Sequence, residues 1–341
     1  MSRNLVERSI RKISILIAAP IVFAFVIAFI ATGSVSAADP AVVKVGGIGL
    51  TSDAAIYIAM EKGYFEESGV RVDLDRFLSG AKMIPALATG ELDVASGSAA
   101  AGLFNAIASG MDFKVVADKG QMRPGYEYGM LVVRKDLLDS GAFKDLGDLK
   151  GRKVAHLPGQ GVVTQYILGH ILEYAQVPWN AVERVDIAAP EHVRLLANKQ
   201  VDAAVTAEPY GAIAESTGVG KRIFVGSRIK PLEKLQVAVI MFSGKFIREH
   251  QKVARGFLTA YVKGIRFMHQ HGFKSDEVIG ILGKYVRVSP ADMRASAPFY
   301  LSPDGRPEVE SLAAQQEWYL KMGMVKQKVP IERVVDLSLL P

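Results

Sequence analysis

The chain has 341 residues, 50% of them hydrophobic and 22% charged, with a formal net charge of +6 and no cysteine. That length suits two ordinary domains, and the composition excludes a largely disordered chain. Without a thiol there is no zinc finger, iron–sulfur cluster, disulfide framework, cysteine nucleophile or lipid-modified N-terminal cysteine.

The first 37 residues read as an export signal. Arg3, Arg8, Arg11 and Lys12 form a positive start, Ile13 to Ile30 is almost unbroken apolar sequence, and Val35-Ser36-Ala37 supplies a small-x-small cleavage pattern. An uncleaved anchor is the alternative, because the apolar run is about as long as a membrane span needs. Removing residues 1–37 takes away four Lys/Arg and one Glu and leaves a charge of +3. No basic run remains that would track a phosphate backbone, so nucleic acid is not an expected partner.

Beyond the leader, strand and helix signals alternate. Val42 to Ile48 predicts a strand, Ala54 to Lys62 a helix closed by Gly63, and Val70 to Asp75 a half-buried strand of period two. Ala81 to Thr89 predicts a helix stopped by Gly90, Asp93 to Ala95 a strand, Ala99 to Ala108 a helix and Phe113 to Ala117 a strand. This order is α/β, and crossover helices imply a mostly parallel sheet.

The chain then repeats itself. Lys44-Val45 and Lys153-Val154 open similar strands 109 residues apart, and Asp93 and Asp202 share the same offset. Two landmarks with one offset suggest a duplicated α/β unit. The second unit predicts strands at 152–157, 183–187, 202–206 and 222–226, with helices at 162–175, 191–198 and 210–216. Met130 to Arg134 and Val237 to Phe242 read as strands where the chain crosses between lobes. Residues 244–341 are mainly helical and are expected to return to the first lobe.

The expected fold is therefore α/β and two-lobed, each lobe a mostly parallel sheet flanked by helices, with a ligand cleft between them. The expected boundaries are 1–37 for the signal, 38–130 with 243–341 for a discontinuous first lobe, and 131–242 for the second lobe, crossing strands included. Ligands in open α/β sheets sit beyond the strand C-termini. The residues that follow the strands are thus the site candidates: Thr51, Ser52, Asp53, Ser79, Ser96, Ser98 and Arg123 from the first lobe, and His156, Gln160, Thr164, Thr206, Glu208 and Tyr210 from the second.

Small hydroxylated residues at helix starts are also good N-caps, so each has a purely structural role open to it. The same free N–H groups, with the helix dipole behind them, favour a negative group in the crevice. Arg123 offers a planar fork for an acidic part of the ligand, with pairing to Asp118 or Glu127 as the alternative. Glu208 either accepts hydrogen bonds from an amino group or ring N–H of the ligand, or fixes the turn before Pro209. Two carboxylates near the cleft disfavour a simple inorganic anion, and a small organic acid or N-heterocycle is the expected ligand.

No catalytic motif is found. Gly47-Ile48-Gly49 lacks the third glycine of a dinucleotide fingerprint, and no phosphate-binding loop follows it. His170 and Glu173 share a helical face but fall short of a metal site, and nothing resembles a nucleophile elbow. No metal, cofactor or enzymatic activity is expected, and the chain is expected to be a monomer.

Gly63-Tyr64-Phe65, Gly90-Glu91-Leu92-Asp93, the run Leu146 to Ala155, and Val201-Asp202-Ala203-Ala204 with Glu208-Pro209 resemble the nitrate/sulfonate/taurine substrate-binding proteins of ABC importers, a group that includes binders of thiamine pyrimidine precursors. The resemblance covers roughly Lys44 to His271. It implies a type II periplasmic binding fold that closes on a small-molecule ligand and delivers it to an inner-membrane permease with a cytoplasmic ATPase. Where the family often has a Gly-Ser/Thr pair, this chain has Gly161-Val162-Val163, and only Thr164 offers a hydroxyl. An exported enzyme of the same fold and a ligand-presenting receptor for a membrane sensor are the alternative functions.

Overall fold

The computed structural model describes residues 39–126, 128–226 and 228–341. The expected export signal lies outside the described residues. Ten strands are formed: β1 Ala41–Gly47, β2 Val70–Arg76, β3 Val94–Gly97, β4 Phe113–Gln121, β5 Gly129–Arg134, β6 Lys153–His156, β7 Glu183–Asp186, β8 Ala203–Ala207, β9 Gly220–Ile223 and β10 Gln236–Ser243. They make two five-stranded sheets, ordered β2-β1-β3-β10-β4 and β7-β6-β8-β5-β9.

The parallel pairing expected from the crossover helices holds for β2-β1-β3 and for β7-β6-β8. One strand in each sheet, β10 in the first and β5 in the second, runs against both neighbours, so each sheet is mixed. This corrects the expected lobe boundary. Val237–Phe242 was assigned to the second lobe, but β10 lies between β3 and β4 of the first. All eight of its residues are buried, as a strand paired on both edges and covered on both faces requires.

The internal repeat is visible as one backbone clasp made twice. Lys44 N–H donates to Asp93 Oδ2 at 2.9 Å while Asp93 N–H donates back to the Lys44 carbonyl at 3.0 Å. Lys153 and Asp202 make the same two bonds at 3.0 and 2.8 Å. In each lobe the aspartate pins the start of one strand to its neighbour, at the middle of β1 in the first lobe and at the start of β6 in the second.

The helix Gln251–His271 buries Phe257, Tyr261, Ile265 and Met268 at helical spacing and lies on the helix Ala54–Glu61. Gly264 permits that closeness, since a side chain there would collide with the Ala55 carbonyl. The C-terminal segment, expected to return to the first lobe, also reaches the second. On the helix Val309–Lys321, Trp318 packs edge-on to Tyr166 at 5.5 Å, and Lys321 pairs with Glu173 at 2.8 Å. Gly169 leaves the space that the Trp318 ring fills. Among the described residues no helix is long and apolar enough to cross a membrane.

Candidate functional site

The C-terminal ends of the two sheets face each other across three direct hydrogen bonds. Ser79 Oγ donates to the Pro158 carbonyl at 2.7 Å, Ala101 N–H to the Gly161 carbonyl at 3.1 Å, and Thr51 Oγ1 to the Glu208 carbonyl at 3.3 Å. Gly159 and Gly161 have φ values of +117° and +65°, and a Cβ on either would strike Ala81 or Ala101 of the first lobe. Glycine is needed here both for the backbone conformation and for the close approach.

Behind these contacts lies a cavity of about 30 Å³ lined by both lobes and by the crossing segments. Its walls are mostly apolar: Ile48, Leu50, Leu157, Val163, Ile167 and Val237. The polar atoms on it belong to Ser52, Ser98, Lys119, Tyr128, Thr164 and Thr206. Ile48, Leu50 and Leu157 also line an outer recess of about 240 Å³ that includes Arg76, Phe77, Leu78, Ala188, Pro190 and Tyr210. They form the partition between chamber and entrance. A larger recess of about 340 Å³, around Tyr57, Arg76, Lys284, Tyr285 and Arg287, draws its lining from the first lobe alone. In it Arg76 donates to the Tyr285 carbonyl and Lys284 pairs with Glu61, so the two-lobed cavity is the better candidate.

Lys119 and Asp53 form the electrostatic centre of the cavity. Their side chains lie 3.0 Å apart and are 0% and 1% exposed. Lys119 Nζ also donates to Ser52 Oγ at 3.0 Å, and Tyr128 Oη donates to the same oxygen at 3.2 Å. Burial pushes the Tyr128 phenol well above its ordinary range, which keeps it a donor. Asp53 accepts from Gly49 N at 2.9 Å, Leu50 N at 3.2 Å and Ser96 Oγ at 2.8 Å, so its carboxylate is bonded on both oxygens.

The second lobe contributes hydroxyls. Thr164 Oγ1 accepts from Leu157 N at 3.1 Å, which leaves its proton to donate. Thr206 is 1% exposed and its Oγ1 has no hydrogen-bond partner.

Of the candidates read from sequence, Ser52, Ser98, Thr164 and Thr206 line the cavity, and Tyr210 lines the outer recess. Asp53 and Ser96 stand behind the lining, while Thr51 and Ser79 join the lobes. His156 is buried off the cavity, with Nδ1 2.8 Å from the Leu157 carbonyl and Nε2 3.1 Å from Asp186, and burial holds its imidazole below the ordinary range. Gln160 is exposed on the loop after β6.

Two expected placements are corrected. Arg123 was expected at the cleft floor, but its guanidinium pairs with Glu308 at 2.5 Å and bonds Gln121 at 2.6 Å. The reason is that β4 runs on to Gln121, four residues past the expected end. Lys119 therefore falls at the cleft, and Arg123 falls beyond it, under the C-terminal segment. Glu208 was offered to the ligand, but its carboxylate takes Arg222 at 2.6 Å, Ala297 N at 2.8 Å and Ala212 N at 2.9 Å. Its role is the structural alternative, the anchoring of the turn through the cis bond to Pro209.

With the strand expected to end at Ala117, Lys119 lay beyond it, and Lys119, Tyr128, Val163 and Val237 were not among the site candidates. His170 bonds Glu173 at 3.0 Å, and among the described residues no group of three or more potential metal ligands occurs.

Two mixed sheets, each invaded by one strand at a crossing and closed over a small cavity, define the type II periplasmic binding fold. The NMT1/THI5 like family model matches residues 51–273, and the chain belongs to that family. No curated protein matches the chain in sequence. Among solved structures it is similar to the ligand-binding component of an ABC-type import system from Staphylococcus aureus, determined with zinc bound, at TM-score 0.73 and 16% identity over 88% of this chain and 97% of that one. It is similar to the periplasmic aliphatic sulphonate-binding protein SsuA of Escherichia coli at TM-score 0.68 and 18% identity, over 88% and 99%. The desulfurization enzyme DszB has the same fold, with TM-score 0.64 and 14% identity over 88% and 97%.

Proposed function

We propose that this chain is the exported solute-binding component of an ABC import system. It captures a small organic ligand between its lobes in the periplasm and delivers it to a membrane permease. The observation that carries this reading is the small cavity whose lining comes from both lobes and from both crossing segments. A ligand held there touches the lobes and the hinge together, so its binding energy draws the lobes closed.

The enzymatic reading has two observations in its favour, the fold it shares with DszB and the Ser52–Lys119 contact at 3.0 Å. Activation of a serine by lysine needs an amine base, and Lys119 stands in an ion pair with Asp53 instead. The chain also has no cysteine to act as a nucleophile. Binding without turnover is the function these groups support.

A small-molecule library screened by thermal shift, followed by small-angle scattering, tests the proposal. A ligand present at about 100-fold over its Kd adds about 2.7 kcal/mol to stability, and it should reduce the radius of gyration. Metal-independent turnover of a bound compound, or binding with an unchanged radius, contradicts it. Loss of uptake of that compound on deletion of the gene separates import from signalling.

A further inference from the structure

We infer that the inner end of the cavity takes an uncharged hydrogen-bond acceptor, a carbonyl of the amide or lactam type on an apolar body, rather than a carboxylate or sulfonate. The inference rests on the binding function proposed above and names the class of ligand for that same site.

The argument starts from charge. Lys119 is the one formally charged side chain among those lining the cavity, and Asp53 neutralises it at 3.0 Å with both groups out of water. The other arginines near the cleft are engaged elsewhere. Arg123 is with Glu308, Arg222 is with Glu208 and Glu215, and Arg76 stands in the outer recess beyond the Ile48–Leu50–Leu157 partition. A full negative charge on a ligand in the chamber would therefore lose its hydration without gaining a counter-charge, which is strongly unfavourable in an apolar enclosure.

The hydrogen-bonding inventory points the same way. Both Asp53 oxygens are already bonded to the protein, and the Glu208 carboxylate is turned to Arg222 and two backbone N–H groups. What faces the chamber is a set of hydroxyls. Thr164 Oγ1 is already an acceptor for Leu157 N, so its remaining capacity includes its proton. Ser52 Oγ accepts from both Lys119 and Tyr128, and so has its own proton left to donate. The decisive group is Thr206 Oγ1, which is buried on the cavity wall with no partner, where an unsatisfied hydroxyl is costly. A carbonyl oxygen accepts two such bonds without bringing a charge. The N-terminus of the helix Val163–Tyr174 adds only partial positive charge, which suits a carbonyl dipole. The remaining lining, with Leu50, Leu157, Ile167 and Val237, is a surface for hydrocarbon.

Calorimetry with benzamide, benzoate and benzenesulfonate, and with the amide, carboxylate and sulfonate of a short alkyl chain, tests the inference. The wild-type chain should bind the amide of each set at least about tenfold more tightly than either anion. Thr206→Val should weaken amide binding by roughly three- to tenfold while raising the melting temperature of the protein without ligand, because it removes an unsatisfied buried hydroxyl. Those two effects have opposite signs, which a merely structural role for Thr206 would not produce. Asp53→Asn should shift preference toward benzoate by leaving Lys119 without its counter-charge. Tighter binding of benzoate or benzenesulfonate than of benzamide by the wild-type chain overturns the inference and leaves the solute-binding function standing. Binding of none of these, nor of any compound in the wider library, overturns both.

Discussion

In the first lobe the buried ion pair, Asp53 with Lys119, faces the cleft and holds Ser52 in place. In the second lobe the buried carboxylate, Glu208, follows a different strand and faces away from the cleft toward Arg222 and the backbone of Ala297. The lobes share strand order and repeat the same Lys–Asp clasp between neighbouring strands. They differ where the strands end. The parts that fold each lobe are alike, and the strand C-termini differ, one side charged and the other made of hydroxyls and hydrocarbon. A site between two such lobes is asymmetric, and each half can be tested separately.

The largest expected effect breaks the first-lobe pair. Asp53→Ala leaves Lys119 buried without its carboxylate and should cost about 3–5 kcal/mol. Denaturant titration measures it, and a loss below about 1 kcal/mol would mean that the pair is far better hydrated than its burial implies.

The next prediction contrasts the lobes in acid. His192 in the second lobe bonds the Ile187 carbonyl through Nε2, its Nδ1 is unpartnered, and burial pushes its imidazole down to about 4. The unfolded chain takes up that proton first, near the ordinary value of 6.5. The contribution is therefore complete above 6.5 and is lost as pH falls toward 4, by on the order of 3 kcal/mol. His156 is shifted in the same direction by burial. The wild-type minus His192→Gln stability difference, followed from neutral pH to below 5, isolates the effect, since other buried groups cancel. Hydrogen exchange should show the second lobe losing protection first.

Glu208→Ala should cost less than Asp53→Ala, about 1–3 kcal/mol. Arg222 keeps Glu215 at 2.7 Å, whereas among the described residues Lys119 is ion-paired with Asp53 alone. Equal losses from the two substitutions would erase the distinction drawn between the lobes. Gly161→Ala acts on their meeting surface. The new methyl would strike Ala101, so ligand affinity should fall by about tenfold and the liganded radius of gyration should grow. Last, Arg123→Ala should change stability by less than about 1 kcal/mol and leave ligand affinity unchanged, because the pair with Glu308 is partly exposed. A large loss of affinity would return Arg123 to the site.

How far the site was legible depended on distance along the chain. Ser52, Ser98, Thr164 and Thr206 were found because a strand end followed by a small hydroxylated residue is a local pattern. Arg123 and Glu208 were misplaced because their partners, Glu308 and Arg222 with Ala297, lie 185, 14 and 89 positions away. Nothing near Arg123 in sequence announces a glutamate that returns at the start of the helix Val309–Lys321. Apolar lining such as Val163 and Val237 was hidden for another reason, since a hydrophobic residue in a strand or helix start reads as core whether it meets protein or a cavity.

The sequence by itself determined the two α/β units, their repeat at 109 residues, the strands and the main crossover helices, because hydrophobic period and glycine stops act within a few residues of one another. Tertiary structure alone decided that the second crossing strand joined the first sheet. β10 and β5 are apolar along their length, and a central strand buried on both faces carries no mark of the lobe that will hydrogen-bond it. It also decided which charge reached the cleft, because four more residues of pairing along β4 turned Lys119 toward Asp53 and carried Arg123 past it.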